Sequence, residues 1–137
     1  MSVVFHKINI LASLLFYMEV LLDTNFIISC VKKRIDFLGD LEGFGLKVVV
    51  PKEVFEELKD FKKGSKGDRT AANVALDLFE QNKVKKTALG GRSVDSGLIS
   101  KGKLGVYIAT LDNGVKRAVP NKVVISGAKN SLVIERN

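Results

Sequence analysis

Apolar residues fall in short blocks that alternate with amphipathic stretches, the pattern of strands and helices taking turns along a chain. Glu19–Leu22 (EVLL) and Leu46–Val50 (LKVVV) read as strands, rich in aliphatic and β-branched residues. Val106–Leu111 (VYIATL) is the clearest buried strand, and Val84–Leu89 is a weaker one. Val123–Ile125 and Leu132–Ile134 read as a final strand pair or as edge strands. Between them, helical spacing predicts Phe26–Lys33, with Phe26, Ile27 and Cys30 together, and Arg69–Gln81, with Ala72, Ala75, Leu76 and Phe79 on one stripe. Pro51 is placed to open a helix over Lys52–Lys63, Ser93 to cap one over Ser93–Ser100, and a short helix spans Asn113–Ala118. Gly64–Asp68 reads as a loop and Gly90-Gly91 as a turn. Such alternation predicts an α/β fold: a three-layer α/β/α sandwich with a mainly parallel central sheet, in which the strands ending at Asp23 and Asp112 are neighbours.

The apolar run Ile8–Met18 stands apart. At about eleven residues it is too short to cross a bilayer, and no small-residue cleavage site follows it. The division expected is an apolar extension over residues 1–18 and one domain over 19–137. The extension reads first as a helix covering the core, with Met18 as a second candidate start; a secreted leader ranks below both.

Composition narrows the chemistry. One histidine and one cysteine exclude a disulfide framework and any zinc site needing several Cys or His ligands. A metal held here is a hard cation on oxygen. The 22 Lys+Arg against 15 Asp+Glu give a formal charge of +7, which favours a polyanionic partner.

Four acids then stand out against that basic background. Asp23 follows the strand EVLL and Asp112 follows VYIATL, and ligands of open α/β sheets bind beyond the carboxyl ends of strands. Each also suits a helix N-cap, so position alone leaves both roles open. On the helix after Pro51, Glu57 lies about 80° from the centre of the Val54, Phe55, Leu58 and Phe61 face, whereas Glu56 lies opposite that centre. Asp95 opens its helix, where the dipole favours an acid, yet it flanks core-like Val94 and Leu98. Clustered carboxylates repel unless a cation sits among them, and oxygen-only ligation selects magnesium or manganese. Carboxylates for a metal inside a basic surface suit phosphodiester hydrolysis.

The chain resembles the PIN-domain nucleases through Asp23-Thr24-Asn25, Val54-Phe55-Glu56-Glu57-Leu58, Val94-Asp95-Ser96-Gly97-Leu98 and Thr110-Leu111-Asp112. Asn113-Gly114-Val115-Lys116-Arg117 is similar to the family's D-x-x-L-K-R continuation, and Leu22-Asp23-Thr24-Asn25-Phe26-Ile27 looks most like archaeal members related to a eukaryotic ribosomal-RNA processing factor. Stand-alone toxins of toxin–antitoxin pairs are the neighbouring branch. The resemblance implies a cytoplasmic, Mg2+- or Mn2+-dependent endoribonuclease acting on single-stranded RNA, with no membrane role. It implies Asp23, Asp95 and Asp112 as metal ligands, Glu57 as the fourth acid, and Asn25, Thr110 and Asn113 as residues that orient them. Lys66, Arg69, Lys116 and Arg117 are the candidate grips on RNA. A homodimer, an antitoxin or a ribosome-assembly partner is left open, as is a non-catalytic RNA-binding role.

Overall fold

The computed structural model describes residues 18–61 and 64–136; the apolar extension before Met18 lies outside the described residues. Six strands form one sheet: β1 (Glu19–Leu22), β2 (Lys47–Pro51), β3 (Lys85–Thr87), β4 (Tyr107–Ala109), β5 (Asn121–Ser126) and β6 (Ser131–Arg136), in the order β3-β2-β1-β4-β5-β6. The first five strands run parallel and β6 returns antiparallel to β5. The expected neighbours pair directly, with Leu21 opposite Ile108 and Leu22 opposite Ala109.

Among the described residues, six helices connect the strands: α1 (Thr24–Lys32), α2 (Phe37–Gly43), α3 (Lys52–Lys59), α4 (Lys66–Gln81), α5 (Val94–Lys103) and α6 (Asn113–Ala118). Alternate residues of the central strands β2, β1 and β4 enter different cores. Val20, Leu22, Val50 and Ala109 pack with Phe26, Leu41, Val54, Leu58 and Phe79 from α1 to α4. Leu21, Val49 and Ile108 pack with Leu98 of α5 and Val115 of α6. The result is the three-layer sandwich, and sheets covered on both faces need such near-continuous apolar strands. Right-handed crossovers explain which helix lies where. The chain steps from β1 to β3 in one direction, then jumps back across β1 to β4, which puts α5 and α6 on the opposite face. The strand order therefore reverses between β1 and β4, and beyond the carboxyl ends of strands at such a reversal lies the crevice where open α/β sheets bind ligands.

Several boundaries differ from the sequence pattern. Helix α2 was not expected, because its FLGDLEG sequence carries two glycines and spans barely two turns. Tertiary burial of Phe37 and Leu41 holds it, with Phe37 edge-on to Phe79 at 6.1 Å and Asp36 capping Gly39 N at 3.2 Å. Helix α3 stops at Lys59, short of Lys63. Helix α4 starts at Lys66, because Ser65 accepts from Asp68 N at 3.1 Å and so caps residues read as loop. Gly102 of α5 faces Val119 and Ile108 so closely that a Cβ would collide with Val119, which is how this helix reaches the sheet.

Candidate active site

Strand β1 delivers Asp23 to the crevice, where its backbone N–H donates to Ala109 O at 2.9 Å. Asp23 is buried, and both carboxyl oxygens are held. Oδ1 accepts from Thr24 N at 2.8 Å, capping α1, and Oδ2 accepts from Thr110 Oγ1 at 2.9 Å. Thr110, fully buried one residue beyond β4, also accepts from Asp112 N at 3.1 Å. One threonine thus ties together the acids at the ends of two adjacent strands. Asp112 caps α6 by accepting from Val115 N at 2.8 Å through Oδ1. For both aspartates, capping and facing the crevice are compatible, because one side chain does both.

Glu57 comes from α3 and Asp95 from the first turn of α5, where Ser93 and Ser96 cap each other's backbone N–H at 3.1 Å. Burial pushes the Asp23 carboxyl above its ordinary range; bonds from Thr110 and Thr24 pull it back, and the charges of Asp95 and Asp112 push it further up. Glu57 is raised too, by burial, then by Asp23 and Asp95, against a lowering influence of Thr24. Glu56 instead turns outward and pairs with Lys59 at 3.5 Å, both well exposed. The fold therefore gathers Asp23, Glu57, Asp95 and Asp112 at one end of the sheet and leaves Glu56 out.

Among the described residues, no three acidic, histidine or cysteine side chains stand close enough to enclose a metal ion as they are. Asp23 feels the charges of Asp95 and Asp112, and Glu57 those of Asp23 and Asp95, without direct contact between carboxylates. Their donor atoms are all oxygen, and Thr24 Oγ1 beside them is buried without a hydrogen-bond partner of good geometry, although it faces Glu57 closely enough to lower its pKa. An all-oxygen set with mutual repulsion and a spare hydroxyl fits a hard divalent cation.

A sequence profile described as a PIN like domain matches residues 20–125, from β1 into β5. The chain belongs to the PIN-like domain family. Its fold is similar to the solved structure of the PIN domain endonuclease Utp24, with a TM-score of 0.66 over 87% of this chain and 95% of that one, at 17% identity. No curated protein matches the chain. PIN-domain nucleases generally use divalent metal ions, and in this PIN-like domain the four acids occupy the crevice where the strand order reverses.

The remaining candidates are gathered less closely. Asn25 is exposed in the first turn of α1, and Asn113 is exposed at the start of α6, next to Asp112. Lys66 and Arg69 are exposed on the first turns of α4 rather than in a loop, beside the 2.7 Å pair of Lys32 with Asp68. Lys116 and Arg117 form the last turn of α6 and line an open cleft.

Two further residues carry little signal in the local sequence. Glu53, in the first turn of α3, accepts from Leu89 N at 3.1 Å and from Gly90 N at 3.2 Å. Those amides, after its own backbone N–H, hold its carboxyl below the ordinary range. Glu53 thereby pins the loop leading into α5, and Gly97 lets that helix sit against Leu89 and the Gly90 carbonyl. Glu53 lies one turn before Glu57, so α3 presents one acid to the crevice and uses another to hold the loop before Asp95. Its sequence signal was slight: an acid about 120° from the apolar centre of its helix. The other is Lys122, a buried lysine in β5, hidden within a strand pattern.

Proposed function

We propose that the chain is a metal-dependent endoribonuclease that hydrolyses single-stranded RNA and serves in ribosomal-RNA processing. The observation that supports this best is the convergence of Asp23, Glu57, Asp95 and Asp112 from four parts of the chain on one crevice, at an electrostatic cost visible in the raised pKa values of Asp23 and Glu57. Asp23, Asp95 and Asp112 would hold Mg2+ or Mn2+, with Glu57 completing the acidic set. A divalent ion bound there would make an attacking water more acidic and offset charge on the phosphodiester. The reaction is hydrolysis: the water oxygen bonds to phosphorus, one P–O ester bond breaks, and the departing oxygen takes up a proton.

The chain's own residues supply position. Thr110 and Thr24 fix the Asp23 carboxyl in one orientation, and the Ser93–Ser96 cap with Glu53 sets the start of α5. Asn25 and Asn113 stand where they can orient water or phosphate oxygens. Lys66, Arg69, Lys116 and Arg117 grip the backbone, in keeping with the +7 charge. No helix among the described residues is long and apolar enough to cross a membrane.

The deciding experiment is cleavage of an end-labelled single-stranded RNA by protein freed of metal with a chelator. Cleavage should be absent until Mg2+ or Mn2+ is added, and Asp112→Asn should slow it at least about tenfold, equivalent to 1.36 kcal/mol. Cleavage that persists in chelator, or is undiminished in both Asp23→Asn and Asp112→Asn, refutes the reading. RNA binding without any cleavage would instead mark a non-catalytic assembly module.

A further inference from the structure

Lys122 is the only buried lysine or arginine among the described residues, with 6% of its surface exposed. It stands opposite Ile108 on β4 and Glu135 on β6. Ile108 packs with Leu98 and Val115, so this register turns Lys122 toward the α5–α6 face. There it lines an open cleft with Asn113, Lys116, Arg117 and Glu135. No carboxylate of a described residue forms an ion pair with it, Glu135 included. Its ammonium is not sealed from solvent, since Thr24 Oγ1 is the one fully buried, unpartnered side-chain polar atom among the described residues.

A lysine whose stem is buried while its unpaired ammonium reaches solvent presents that charge, already positioned, to an incoming anion. Three cations face one carboxylate in this cleft. Its lining includes Asn113, the residue after Asp112. The Lys122 stem is already immobilised by the sheet, which lowers the entropy lost on binding, and Arg117 offers a fork suited to two phosphate oxygens.

We propose that this cleft is a phosphate subsite, in which Lys122, Lys116 and Arg117 hold an internal backbone phosphate of the nucleic-acid strand, flanking the phosphodiester presented to Asp23 and Asp112. Its position relative to the scissile bond rests on the nuclease reading above; its affinity for phosphate does not. The subsite makes the cleft the path along which the strand leaves the acids, across α6 and onto β5.

The test is binding of a fluorescent single-stranded RNA 12-mer, with and without a 5′-phosphate, to the full chain in chelator over a salt series. Lys122→Met keeps the buried stem, and Arg117→Gln changes an exposed residue that cannot threaten the fold. Each should weaken binding about tenfold and flatten the log–log salt slope by about 0.7, equally for both RNAs. Lys103→Gln, at the exposed end of α5, should change neither affinity nor slope by comparison. Unaltered affinity and slope in both cleft variants, with Asp112→Asn still silencing cleavage, overturns the subsite and leaves the nuclease reading intact. Weakened binding in both variants of a chain that cleaves no RNA keeps the subsite and overturns the nuclease reading. A loss confined to RNA carrying the 5′-phosphate makes the ligand a terminal phosphate and overturns the internal placement.

Discussion

Thr110 Oγ1 donates a 2.9 Å hydrogen bond to Asp23 Oδ2 across 87 residues of sequence, and accepts one from Asp112 N at 3.1 Å. Thr110→Val keeps the shape and deletes both bonds. It should destabilise the fold by about 1–3 kcal/mol, the cost of unmaking buried hydrogen bonds, as read from urea unfolding. Because the Thr110 bond lowers the Asp23 pKa, its loss should also move the acid limb of the cleavage–pH profile upward. A profile unchanged in position would show that this bond does not govern the Asp23 charge.

Asp23 predicts an opposition between stability and activity. Its pKa in the folded chain is raised above the ordinary 3.8, chiefly by burial, so the fold binds that proton more tightly than the unfolded chain does. The ionised form therefore costs stability above the folded-state pKa, and the cost fades as pH falls toward the ordinary value. Asp23→Asn, measured in chelator, should raise the thermal midpoint by roughly 2–5 °C near pH 7 and lose that advantage below about pH 4. The same variant should lose cleavage at least about tenfold. A lower midpoint at pH 7 would contradict the burial argument.

Glu57 and Glu56 are adjacent in sequence and face different surroundings. Glu57 feels Asp23 and Asp95, and Glu56 pairs with Lys59 at the exposed surface. Glu57→Gln should reduce cleavage by about tenfold or more, whereas Glu56→Gln should leave it nearly unchanged and cost under about 1 kcal/mol of stability. Reversed outcomes would move the fourth acid to Glu56.

Glu53 should be read through the loop it holds. Glu53→Ala removes the acceptor for Leu89 N and Gly90 N, so amide exchange at those two positions should speed up by about tenfold with little change at β1 and β4. Glu53→Gln, which keeps one oxygen, should recover part of the protection. The depressed Glu53 pKa adds a pH signature: the hold is complete above its ordinary 4.5 and is lost as pH falls through the lower folded-state value. Equal exchange in both variants and the parent chain would remove the role.

The chain's local pattern, by itself, determined the alternation of strands and helices, the parallel sheet and the placing of Asp23 and Asp112 just past their strands. Periodicity carries this because burial of one face or both is written into each segment's own residues. It also separated Glu57 from Glu56, since 100° per residue puts them at different angles to the Val54–Leu58 face. Helix α2 was invisible, because its stability comes from Phe79, three elements further along the chain, and not from FLGDLEG. Only the tertiary structure decided what stands across each gap. The reach of Glu53 to Leu89, the bond from Thr110 to Asp23 and the exposure of Lys122 to the α6 cleft all depend on strand order. That order reverses at β1 and β4 through a crossover whose hand is set by the whole sheet, and no local spacing encodes it.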